Sequence, residues 1–164
     1  MRADGRALRP LLMLDVDGVL NPYAAPACPA GYQELDLFPG EEPVWLCSQH
    51  GPWLRELAVE FELVWATGWG ADANLVLAPP LRLPDLPVLA LPPAPFDPAD
   101  KLPAVASFAR DRPLAWIDDL LPADADGWAS GRGVPTLLLG VDPAEGLTRP
   151  AVDQALGWAV DLRS

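Results

Sequence analysis

The sequence predicts an α/β protein built on a doubly wound parallel sheet in three layers. Three observations predict it. Five short, continuous apolar runs recur along the chain, as expected of strands buried on both faces. Segments with apolar residues at helical spacing lie between these runs. The alternation of the two places helices on both sides of a parallel sheet. A chain of 164 residues suits one such domain, and residues 1–164 read as a single unit without repeats or a dividing linker.

The elements follow in order. Leu11 to Val16 is the first apolar run. Residues 21–46 then break the alternation: the segment is rich in Pro and Gly, and Tyr32 to Phe38 with Val44 to Leu46 reads as a flap hairpin. Pro52 to Glu60 has Pro in its first turn and Trp53, Leu54, Leu57 and Ala58 on one helical face. Leu63 to Ala66 is the second strand, and Asp72 to Leu77 a short helix. Val88 to Leu91 is the third strand. Leu102 to Arg110 is a helix facing the core with Leu102, Val105, Ala106 and Ala109. Leu114 to Ile117 is the fourth strand, Asp124 to Ala129 one or two helical turns, and Thr136 to Leu139 the fifth strand. Thr148 is a cap candidate for a last helix reaching Leu162. The expected architecture is Rossmann-like, five main strands in the order 3-2-1-4-5.

Composition narrows the function. There are 11 Lys plus Arg against 23 Asp plus Glu, a net charge of −12, with 51% hydrophobic residues. That is a folded chain, not an acidic disordered tail. The acidic excess argues against an extended nucleic-acid surface and against anionic membranes. His50 is the sole histidine, which nearly excludes a His-based triad or a multi-His metal site. Cys28 and Cys47 could pair, but two free thiols in a reducing cytosol is the plainer reading. Arg2, Arg6 and Arg9 precede an apolar run that Asp15 and Asp17 cut short, too early for a secretion signal. The apolar segment from Leu75 to Leu91 is broken by prolines and charges, so no span approaches the ~20 residues of a membrane helix. A cytoplasmic location is expected. Proline is abundant, 21 residues spread along the chain. With Arg favoured over Lys it suggests a coding bias, and it helps mark element boundaries.

Polar residues fall at suggestive places. Asp15 and Asp17 lie where the first strand ends, Thr67 follows the second, Lys101 opens the helix before the fourth, and Asp118 and Asp119 follow the fourth. Ligands of open α/β sheets bind at the carboxyl ends of the strands. If the first, second and fourth strands are neighbours, these groups converge. Four adjacent carboxylates cannot all stay ionised without a cation, and an all-oxygen set suits Mg²⁺. Lys101 adds a compact positive charge. The Thr67 hydroxyl and nearby N–H groups can hold a phosphate oxygen. A carboxylate nucleophile forms an aspartyl-phosphate, and Asp17 can protonate the leaving oxygen and then activate water.

Over residues 11 to 119, about two thirds of the chain, these residues resemble the motifs of a known family. Asp15-Val16-Asp17-Gly18-Val19-Leu20-Asn21 looks like the first motif of the haloacid dehalogenase superfamily of phosphohydrolases. Trp65-Ala66-Thr67-Gly68 is similar to its second motif, Lys101 stands where the third-motif lysine is expected, and Ile117-Asp118-Asp119 looks like the fourth. The wording of these motifs is most like a small branch whose relatives occur as domains in proteins proposed to repair RNA. The resemblance implies a nucleophile and metal ligand at Asp15, and an acid–base at Asp17 that binds metal through its backbone carbonyl. It implies a phosphoryl-binding Thr67, a charge-steadying Lys101, and a magnesium site completed by Asp118 and Asp119, one of them through water. An Asp at position 17 fits a phosphatase better than the family's ATPases, which carry Thr there, and its dehalogenases lack this metal pattern.

Plainer readings apply elsewhere. Trp65 and Trp116 are expected core residues. His50, before Gly51-Pro52, is expected at a helix start or on the surface. Gly18, Asn21 and Gly68 are expected to shape backbone. Gly68 and Trp69 join Thr67 as candidate substrate-binding residues. Some 30 residues between Asn21 and Pro52 allow a flap but no cap domain, and the 34 between Thr67 and Lys101 are mostly used by a helix, a strand and a linker. The site should therefore be open, suited to a bulky phosphomonoester such as a macromolecule or a nucleic-acid end, or to closure by a partner or second subunit. One alternative is a catalytically weak binding or accessory module of the same fold. Another is a phospho-receiver, but its order differs: there the acidic pair comes first and the lysine last.

Overall fold

The computed structural model describes residues 8–93 and 95–164; Arg2 and Arg6 lie outside them. In chain order the elements are β1 (Leu11–Leu14), β2 (Tyr32–Leu35), β3 (Val44–Cys47), α1 (His50–Glu60), β4 (Glu62–Trp65), a π-helical turn (Ala73–Leu77), α2 (Ala78–Leu81), α3 (Lys101–Ala109), β5 (Leu114–Asp118), α4 (Ala125–Gly131), β6 (Thr136–Gly140) and α5 (Arg149–Asp161). Four strands form one parallel sheet in the order β4-β1-β5-β6. β2 and β3 form the expected antiparallel pair, Tyr32 opposite Cys47 and Leu35 opposite Val44.

The apolar runs are continuous because both faces of the sheet are covered. On one face Leu12, Leu14, Trp65 and Ile117 pack with Leu54 and Leu57 of α1 and Val152, Ala155 and Ala159 of α5. On the other, Leu11, Met13, Val64 and Trp116 pack with Val105 and Ala109 of α3 and Ala125 of α4. The alternation along β1 is the period-2 geometry of a strand. Trp65 and Trp116 are fully buried core residues, as expected.

The sequence differs from the structure at two places. The run expected as a third strand, Val88 to Leu91, is a single parallel bridge between Trp65 and Val88. It is held by Trp65 N–H to Pro87 O at 2.9 Å and Leu89 N–H to Trp65 O at 2.8 Å. Pro84 and Pro87 before it and Pro92 and Pro93 after it have no N–H to extend a ladder. Among the described residues the sheet therefore has four strands and one bridge instead of five strands. The short helix expected at Asp72 to Leu77 is instead a widened π turn leading into α2. Pro79 and Pro80 cannot donate to the carbonyls four residues back, and the widened turn sits where those bonds are missing.

The last helix starts as expected, with the Thr148 hydroxyl accepting from Ala151 N–H. His50 takes the first of its two expected places: it opens α1 and is buried, its Nε2 2.9 Å from Leu147 O. Its ring meets Tyr32 edge-on. Cys28 and Cys47 are both free. Among the described residues no helix is long and apolar enough to cross a membrane.

Candidate active site

The sheet register builds the floor of the site. Leu14 pairs with Trp65 on one side and Ile117 on the other, so the C-terminal ends of β1, β4 and β5 arrive at one level. Asp15, Thr67 and Asp118 stand there, and Lys101, the first residue of α3, reaches in from the helical layer. All four are buried. Lys101 Nζ lies 2.8 Å from Asp118 Oδ2 and 3.3 Å from Asp15 Oδ1, and donates to Ala66 O at 3.0 Å. Val16 N–H donates to Asp15 Oδ1 at 2.8 Å. Asp118 also accepts from Leu120 N–H at 3.0 Å and from Trp116 Nε1 at 3.3 Å.

One ammonium cannot offset two buried carboxylates equally. Burial, and then repulsion from Asp118, hold the Asp15 carboxyl well above the usual range despite Lys101 and the Val16 N–H. Burial also works against ionised Asp118, but the closer Lys101 contact outweighs it, and this carboxyl lies below the usual range. Burial opposes the charge on Lys101, yet Asp15 and Asp118 outweigh it and raise its pKa. Half-buried Asp119 is pushed up, first by burial and then by Asp118. Carboxylate oxygens of Asp15, Asp118 and Asp119 lie within 4.8 Å of one another. That donor set fits a hard divalent cation, which would favour the ionised form of all three.

Asp17 stands apart from this triad. It is exposed, and its oxygens accept from Asn21 Nδ2 and Trp69 Nε1, each at 3.1 Å. Three of the four expected carboxylates thus share one spot, while the Asp17 side chain faces the cleft mouth. Gly18 has φ +85°, and a Cβ there would fall 2.3 Å from Asp119 Cγ. Only glycine supplies both the left-handed turn and the room for Asp119. Asn21 ties the loop to the hairpin by accepting from Trp45 N–H at 3.1 Å. Both residues shape backbone, as expected. Gly68 has no left-handed backbone; a Cβ there would meet the Phe96 ring at 3.1 Å, a tight side-chain contact.

Above the floor opens a cleft of about 1020 Å³, lined by all the expected site residues, Asp15, Asp17, Thr67, Gly68, Trp69, Lys101, Asp118 and Asp119. The hairpin contributes Val44 and Trp45, and the loop joining its strands contributes Phe38, Glu41 and Glu42. Sequence reasoning missed these three, and also Tyr23, Asp72 and Phe96 in the same lining. The Tyr23 hydroxyl donates to Asp119 Oδ2 at 3.1 Å, and burial followed by the Asp119 charge raises its pKa. The proximity of Tyr23 to the first motif was the one available signal; the others depend on how loops return to the cleft.

Comparison with known proteins finds no matching family model, no matching curated protein and no matching solved structure.

Proposed function

We propose that this chain is a Mg²⁺-dependent phosphatase of the haloacid dehalogenase superfamily, hydrolysing an accessible phosphomonoester through an aspartyl-phosphate on Asp15. The observation that carries the reading is the buried Lys101, held at 3.3 Å from Asp15 and 2.8 Å from Asp118 on the floor of an open cleft. A buried lysine between two carboxylates, beside a third and a buried threonine, suits a site that takes up both a cation and a phosphoryl group. The strand order, with the Trp65–Val88 bridge in the place of a third strand, supports a Rossmann-like 3-2-1-4-5 arrangement.

Asp15 Oδ1 is engaged by Val16 N–H and Lys101, so the other oxygen attacks phosphorus. A bond forms from Asp15 to phosphorus, the ester P–O bond breaks, and Asp17 gives its proton to the leaving oxygen. Asp17 then takes a proton from water as that water attacks the phosphoryl group, releasing inorganic phosphate and restoring Asp15. Thr67 binds a phosphoryl oxygen, and Lys101 steadies the charge that builds on it. The carboxylates of Asp15, Asp118 and Asp119, with the backbone carbonyl of Asp17, would hold Mg²⁺, which would supply the charge neutralisation that a phosphate dianion needs beside them. The protein works without a cap domain in the cytoplasm, its site open or covered by a partner.

Hydrolysis of 4-nitrophenyl phosphate tests this. The expected result is Mg²⁺-dependent turnover that falls by at least ~10³-fold in Asp15→Asn, with the circular dichroism spectrum unchanged. No turnover on a broad phosphate panel with metal bound would overturn it in favour of a binding module.

A further inference from the structure

The cleft walls carry a chemistry that the floor does not need. Trp69 and Phe38 pack with ring centroids 5.3 Å apart at 55°, and the Trp69 indole is fixed by its bond to Asp17 at 3.1 Å. Phe96 lies against Gly68, the residue before Trp69. All three rings line the same cleft as Thr67. Their company is acidic: Glu41, Glu42 and Asp72 are exposed in the same lining. Among the described lining residues the one Lys or Arg is Lys101, and it is spent on Asp15 and Asp118.

We propose that the site selects a monophosphate ester whose alcohol carries a flat aromatic ring and no second anionic group. This rests on the phosphatase reading above and names its substrate class. The reacting phosphate sits on the floor; the ring of the leaving alcohol stacks against Trp69, Phe38 or Phe96. Base–aromatic stacking is worth ~1–3 kcal/mol, about 5- to 150-fold in affinity. A second phosphate would meet Glu41, Glu42 and Asp72 with no basic partner, and like charges discriminate against the wrong ligand. A polyanionic nucleic-acid end is therefore disfavoured.

Four substrates with the same leaving 5′-oxygen test this on the wild-type protein with Mg²⁺: adenosine 5′-monophosphate, ribose 5-phosphate, adenosine 3′,5′-bisphosphate and a 5′-phosphorylated trinucleotide. The expected kcat/KM for the adenosine monophosphate is about tenfold or more above ribose 5-phosphate, carried mainly by KM, and above both polyanions. Phe38→Ala combined with Phe96→Ala should reduce the advantage over ribose 5-phosphate. Glu41→Lys with Glu42→Lys should narrow the gap to the bisphosphate. Equal values for all four, or a preference for the trinucleotide, would overturn the proposal while leaving the phosphatase reading standing. No turnover of any of them, nor of 4-nitrophenyl phosphate, would overturn the phosphatase reading and this inference with it.

Discussion

The floor and the mouth of the cleft are built on different principles. Asp15, Thr67, Lys101 and Asp118 are buried and sit at the ends of regular elements. Asp17, Tyr23, Glu41 and Glu42 are exposed and come from loops. On the floor, charge is part of the fold: removing one partner leaves another buried and unpaired. At the mouth, charge is solvated and free to serve chemistry and selection. Substitutions in the first region should therefore change stability and activity together, and those in the second activity alone.

The strongest way to break this contrast is Lys101→Met. It leaves Asp15 and Asp118 buried without their cation, and stability should fall by about 3–5 kcal/mol. Denaturant unfolding without metal measures it. The same substitution in an Asp15→Asn background should cost less, because one buried charge is already gone. Equal costs in the two backgrounds would show that the three groups are not coupled.

Asp17→Asn probes the mouth. Its expected effect is a ~10²–10⁴-fold loss of kcat with the melting temperature within a degree or two of wild type, about the reach of an exposed side chain. A large loss of stability would place Asp17 with the floor. Gly18→Ala sits between the regions. The positive φ costs roughly 1–2 kcal/mol, and the new methyl displaces Asp119. Calorimetric titration with Mg²⁺ should show weaker binding in this variant than in wild type.

The smallest expected effect lies away from the cleft, at His50. Burial lowers its pKa below the ordinary 6.5, although its bond to Leu147 O opposes the shift. The unfolded chain therefore takes up a proton more readily than the folded one. The stability held by neutral His50 is complete above pH 6.5 and is lost as the pH falls from there through the lowered folded value. Melting temperatures between pH 8 and pH 5 should fall less steeply in His50→Phe than in wild type. Parallel curves would show that His50 titrates alike in both states.

The same contrast explains what the sequence could reveal. The floor was legible because strands announce themselves: Leu11 to Leu14 is an unbroken apolar run, and Asp15 follows it directly. The lone lysine, Lys101, stood out in a chain that otherwise uses Arg. The mouth was not legible, because Phe38, Glu41, Glu42 and Phe96 approach the site through loops whose paths no periodicity encodes. The third strand was over-read for a related reason. Val88 to Leu91 is apolar enough for a strand, but hydrogen bonding decided its fate, and the prolines around it withhold the donors. The side-chain direction of Asp17 was equally hidden, since it follows from Trp69 and Asn21 meeting it across the loop.

Acid-quenched peptide mass spectrometry during turnover tests the floor's proposed chemistry most directly. With an aryl phosphate and Mg²⁺, the peptide carrying Asp15 should hold one phosphoryl group, and its occupancy should rise in Asp17→Asn, where water attack is slowed. An unmodified Asp15 peptide during undiminished hydrolysis, together with full activity in Asp15→Asn, would contradict the assignment of Asp15 as the nucleophile.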